Sequence, residues 1–164
     1  MRLASAVSVK TLLYVDDSPD DRLLVQRSCE KARVTFRLTT VDSGIQAIRY
    51  LSGASASGDR AEHPVPDLIF LDLKMPEMDG FQVLRWIRAN PVTRLIPVAL
   101  YTGSFIAEDI AKSYEEGANL FISKPPDLST LTEIVRAANE FLAADVTNCA
   151  ALQRFSAAAR KSGA

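Results

Sequence analysis

At 164 residues, with 48% hydrophobic and 24% charged residues, the chain has the composition of one globular domain with enough length to bury a core. A net charge of −1 supplies no bulk attraction to nucleic acid or to an anionic membrane, so neither is expected as a partner. Two distant cysteines, Cys29 and Cys149, and one histidine, His63, exclude a structural zinc site of the ordinary type.

The apolar stretch after Met1 and Arg2 is too short for a secretory leader, and no run approaches the roughly 20 residues that span a bilayer. A cytoplasmic location is expected, with both cysteines reduced.

In chain order, residues 1–9 read as an N-terminal extension. Thr11–Val15 is a short apolar run that stops at Asp16 and Asp17. Ser18 and Pro19 then supply an N-cap and an N1 residue for a first helix. Leu24, Val25, Ser28, Cys29 and Ala32 recur along it at helical spacing, so Cys29 is expected to be a buried apolar residue rather than a reactive thiol. Phe36–Thr40 is a weaker strand and Asp42–Leu51 a second helix. Gly53–Pro66 forms a long polar loop holding His63, which reads as an ordinary surface histidine.

Asp67–Leu73 and Ile96–Tyr101 are near-continuous apolar strands, the pattern of strands covered on both faces by helices. Between them a helix runs from Gly80 or Phe81 to about Asn90. Phe105–Glu116 is a fourth helix ended by Gly117, and Asn119–Ser123 a fifth strand. Asp127–Ala143 is the last helix, with Leu128, Leu131, Val135, Ala138 and Leu142 on one face. Residues 144–164 form a short tail, helical or disordered, too short for an output domain. Five successive βα units imply a doubly wound α/β fold with a parallel sheet and five helices.

The unusual polar residues fall at strand ends. The first strand ends in Asp16 and Asp17, the third in Asp72, the fourth in Thr102 and the fifth in Lys124. Ligands in such sheets gather at the carboxyl ends of the strands. If the strand order is 2-1-3-4-5, the first and third strands are neighbours and three carboxylates crowd together. Crowding of this kind needs a cation, and a magnesium ion or the Lys124 ammonium fits. A carboxylate beside both is arranged for nucleophilic attack on phosphorus. Each residue also has a bland reading, as a helix cap, an Asx-turn or a solvated lysine, but their joint placement is unlike coincidence.

Asp16-Asp17, Leu71-Asp72, Met75-Pro76, Asp79-Gly80, Thr102 and Lys124-Pro125 together resemble the receiver domain of two-component response regulators, over about residues 10–143. The loop before Asp67, with Lys112-Ser113-Tyr114 and Phe121–Pro125, further resembles the stand-alone regulators paired with phytochrome-type histidine kinases. The resemblance implies the flavodoxin-like order 2-1-3-4-5 and Asp72 as phosphoacceptor. It also implies a magnesium ion held by Asp16, Asp17, Asp72 and the backbone carbonyl of Lys74. Lys124 would pair with the phosphoryl group, Thr102 and Phe121 would act as switch residues, and the bond to Pro125 would be cis. Gly103 would leave the approach to Asp72 open, and Pro126 is a less usual stiffening of that corner.

Aspartyl-phosphate hydrolases of the haloacid dehalogenase type place an acid two residues after the nucleophile, where this chain has Lys74. A flavin-binding protein would want a Ser/Thr/Gly-rich phosphate loop where Asp16-Asp17-Ser18-Pro19-Asp20 stands. A non-phosphorylated binding module would lack one of the acids or the lysine. The expected function is therefore a switch rather than an enzyme with its own substrate, one that assists its own phosphorylation and dephosphorylation. The phosphoryl group would come from a sensor histidine kinase. Output would run through protein contacts, including a homodimer through helix four, strand five and helix five. Glu108, Lys112 and Glu115 of helix four and Glu133, Arg136 and Glu140 of helix five are the charges expected there.

Overall fold

The computed structural model describes residues 8–53, 60, 62–104, 106–144 and 149–161. Most of the N-terminal extension, half of the loop expected at residues 53–66, and Phe105 lie outside the described residues.

Five parallel strands, β1 (Thr11–Val15), β2 (Arg37–Val41), β3 (Leu68–Leu71), β4 (Val98–Thr102) and β5 (Leu120–Ser123), form one sheet in the order β2-β1-β3-β4-β5. The helices are α1 (Pro19–Ala32), α2 (Gly44–Ser52), α3 (Gly80–Ala89), α4 (Ala107–Glu115), α5 (Leu128–Ala143) and α6 (Cys149–Lys161). The flavodoxin-like expectation holds.

The apolar runs are continuous because alternate side chains enter two different cores. Leu12, Tyr14, Leu68, Phe70, Ala99, Tyr101, Leu120 and Ile122 face α1 and α5. Leu13, Val15, Ile69, Leu71, Val98 and Leu100 face α2 and α3. The edge strand β2 is only partly covered, which explains its weak sequence signal.

Local chemistry sets the helix ends. The Ser18 hydroxyl accepts from the Asp21 N–H with Pro19 behind it, and Asp79 and Gln82 form a reciprocal capping box on α3. Gly117 follows α4 with φ of 96°, a conformation that favours glycine. Cys29 is buried as expected, and burial pushes its thiol up to about 12. Leu24 and Leu128, expected on buried faces, are instead 42% and 36% exposed.

Six helices rather than the expected five occur among the described residues. The tail folds as α6 against α5 and β5. Phe155 is fully buried and stacks on Phe70 at 6.1 Å and beside Phe141 at 5.8 Å. It belongs to the core that Leu68, Phe70, Ala99 and Leu120 contribute from the sheet. Burying one such side chain contributes about 1.5–3 kcal/mol, and Ala158 packs partly buried against the same core.

Candidate functional site

The carboxyl ends of β1, β3, β4 and β5 meet on one edge, and backbone hydrogen bonds carry the sheet ladder into the site. The Asp16 N–H donates to the Val41 carbonyl at 3.2 Å, Asp72 N–H to Val15 at 3.0 Å, and Lys124 N–H to Thr102 at 2.9 Å. β1 and β3 are adjacent, so Asp16, Asp17 and Asp72 bring carboxylate oxygens within 4.8 Å of one another. Asp16 and Asp72 are buried, at 0% and 5% exposure, and Asp17 is exposed.

Gly80 explains why Asp79-Gly80 accompanies this site. A Cβ there would stand 2.3 Å from the Asp72 carbonyl oxygen and 2.9 Å from Leu73 Cα. The Gly80 N–H donates to the Leu73 carbonyl at 3.0 Å, so α3 starts directly against the backbone that presents Asp72. Gly103 is the opposite case, since nothing lies within 4 Å of its would-be Cβ. It leaves open space beside Thr102.

Lys124 stands among the acids. Its Nζ lies 2.6 Å from Asp16 Oδ2, 2.8 Å from Asp21 Oδ2 and 3.8 Å from Asp72 Oδ1. Burial pulls the ammonium's pKa down, but hydrogen bonds to Asp16 and Asp21 and the charges of Asp72 and Asp16 outweigh it, and the net shift is upward. The lysine is therefore a fixed cation. Asp72 moves the other way from an ordinary carboxylate, raised to about 6. Burial is the main cause; Lys124 opposes it and Asp16 adds to it.

Asp16 is held on both oxygens. Oδ1 accepts from the Ser18 N–H at 2.9 Å, and Oδ2 accepts from Lys124 and from the buried Tyr14 hydroxyl at 2.5 Å. Arg22 donates to the Asp16 carbonyl at 2.5 Å. Burial and the Asp16 charge raise the Tyr14 phenol far above its ordinary pKa, so it remains a donor. Sequence reasoning missed Tyr14, Asp21 and Arg22. Tyr14 sits inside an apolar strand and reads as core, although its i+2 relation to Asp16 places both on one sheet face.

Thr102 is buried, and its Oγ1 accepts from the Ser104 N–H at 3.3 Å. Phe121 is partly buried against the α2/α3 core, level with Leu100 rather than Thr102 in the β4–β5 register. Lys74 follows Asp72 by two residues and turns its side chain to Asp109 at 3.3 Å, where the Ser104 hydroxyl also donates at 2.7 Å. The expected cis bond before Pro125 is corrected, since no cis peptide occurs among the described residues. The two isomers of an X–Pro bond differ by only about 0.5–1 kcal/mol, and the trans chain already carries Lys124 to the carboxylates.

The donor set is all oxygen, with three carboxylates clustered around one space, which suits a hard divalent cation such as magnesium. Among the described residues no helix is long and apolar enough to cross a membrane.

Comparison with known proteins agrees with this geometry. The chain is 34% identical over 138 residues to the response regulator Rcp1 of Synechocystis, covering 84% of this chain and 92% of that one. A solved structure of the phosphorylated cyanobacterial phytochrome response regulator RcpA superposes with a TM-score of 0.73 at 34% identity, over 82% of this chain and 94% of that chain. The Mn²⁺-bound form of Rcp1 superposes with a TM-score of 0.71 at 32% identity, over 83% and 96%. The family model of the response regulator receiver domain matches residues 12–136, which takes in the five strands except Thr11 and the clustered carboxylates, so the chain belongs to the receiver domains of two-component response regulators.

Proposed function

We propose that this chain is a response regulator that accepts a phosphoryl group on Asp72, with magnesium, from a sensor histidine kinase. The observation that carries the reading is the cluster of Asp16, Asp17 and Asp72 with the Lys124 ammonium 3.8 Å from Asp72. An ionised Asp72 oxygen attacks phosphorus, the bond from phosphorus to the donor's histidine nitrogen breaks, and its electron pair stays on the ring. Asp16, Asp17, Asp72 and the Lys74 carbonyl would hold magnesium, whose charge offsets that of the transferring oxygens. Lys124 supplies a second positive charge, and the open space at Gly103 admits the donor or, for dephosphorylation, a water molecule. Tyr14 and Ser18 keep Asp16 oriented throughout.

Thr102 and Phe121 are the proposed switch. The hydroxyl would turn from the Ser104 N–H toward the phosphoryl oxygens, and Phe121 would follow inward. The output face is α4, β5 and α5. Ile106, Ile110 and Tyr114 form an exposed apolar stripe on α4, at 54%, 36% and 50%, which supports docking there by a partner or a second copy. Of the charges expected on that face, Lys112 lies over the Phe81 ring at 4.4 Å and Glu140 pairs with Arg154 of α6 at 3.6 Å. Both are partly committed within the chain, so the apolar stripe would carry the contact. The phytochrome origin of RcpA supports a phytochrome-type kinase as the donor.

Incubation with a small acyl-phosphate donor and magnesium tests the reading by intact mass. One labile phosphoryl group is expected, absent after Asp72→Asn and absent when magnesium is chelated. A phosphoryl group that persists in Asp72→Asn would place the acceptor elsewhere.

A further inference from the structure

We propose that Asp21 is a positioning residue that holds Lys124 in a resting register, and that phosphorylation of Asp72 takes the lysine from it. The inference rests on the phosphoacceptor reading above, but it assigns a role to a residue outside the clustered carboxylates. Lys124 is not centred on Asp72. Its two short contacts go to Asp16 and Asp21, while Asp72 lies beyond hydrogen-bond reach at 3.8 Å.

An ammonium has three protons to donate. A phosphoryl group on Asp72 adds negative charge and acceptor oxygens beside the one carboxylate that Lys124 does not bond. The third proton is free for it, but drawing Nζ toward Asp72 from 3.8 Å stretches one of the two short contacts. The Asp16 side chain is 1% exposed, so its Oδ2 has no water to replace the lysine. The Asp21 side chain is 33% exposed and lies on the first turn of α1, where water can take over. Asp21 is therefore the contact that gives way. The Tyr14 hydroxyl, on the same Asp16 oxygen, keeps that oxygen bonded while the lysine shifts. Among the described residues Lys124 is the one side chain that the Asp21 carboxylate pairs with, since the N-cap bond of α1 uses the Asp21 backbone N–H.

Loss of the Asp21 carboxylate should then favour the phosphorylated arrangement. The test is the affinity for beryllofluoride, a phosphoryl mimic, at saturating magnesium, in wild type, Asp21→Asn, Asp21→Ala, Asp21→Glu and Asp72→Asn. Asp21→Asn and Asp21→Ala should bind the mimic about fivefold more tightly, the scale of one partly exposed ion pair. Asp21→Glu, which restores the charge, should return toward wild type. Simple structural damage would weaken binding, so the direction of the change separates the two. Equal or weaker binding in both Asp21→Asn and Asp21→Ala overturns the role of Asp21 while wild-type binding upholds the phosphoacceptor reading. Failure of wild type to bind, or binding retained in Asp72→Asn, overturns the phosphoacceptor reading itself.

Discussion

Replacing Asp72 by Asn should stabilise the magnesium-free protein, and by an amount that depends on pH. Burial raises the Asp72 carboxyl from 3.8 to about 6, so the folded state binds its proton more tightly than the unfolded chain does. As pH rises from about 4 to about 6, the unfolded chain ionises while the folded one resists, and stability falls. Above both values the loss is complete. A gap of about two pH units at ~1.4 kcal/mol each makes the ionised side chain cost about 3 kcal/mol near neutrality. Near pH 5 the same relation leaves roughly half of that. Asn keeps the shape and removes the charge. Urea unfolding with magnesium chelated, at pH near 7.5 and near 5, should show a gain of about 3 kcal/mol that shrinks to about 1.5. A gain equal at both pH values, or a loss at the higher one, would refute the account of Asp72 as a carboxylate held against its preference.

Phe155→Ala should destabilise the fold by about 3–5 kcal/mol in thermal or urea unfolding, as its ring is fully buried, while the extent of phosphorylation at low temperature stays near wild type. Gly80→Ala drives a methyl group into the Asp72 carbonyl, and should cost at least about 1–3 kcal/mol and slow phosphorylation together. Thr102→Ala retains the carboxylates and Lys124, so intact mass should still show one phosphoryl group. Phosphate-dependent partner binding or self-association should fall in that variant, and an unchanged response would remove Thr102 from the switch.

Much of the site was legible because backbone topology dictates it. Apolar runs that stop at Asp16, Asp72, Thr102 and Lys124 imply parallel strands, and parallel strands deliver their ends to one edge. The helix start at Ser18 was equally readable, because a cap acts over three residues and needs no distant partner. What the sequence alone determined is thus the fold class, the strand order once the family pattern was seen, and the acids and lysine that share a site. Tertiary structure decided the rest. Tyr14 is distinguished from an ordinary core tyrosine only by the carboxylate its hydroxyl meets. Asp21 becomes a partner of Lys124 only because β5 and α1 converge from 103 residues apart. Residues 149–161 carry a single large ring amid alanines, too weak a pattern to specify a helix, and they fold because Phe155 packs into the core against Phe70 and Phe141. Local signals survive in sequence because their energies are local; these three arise from contacts that exist only after the chain has closed on itself.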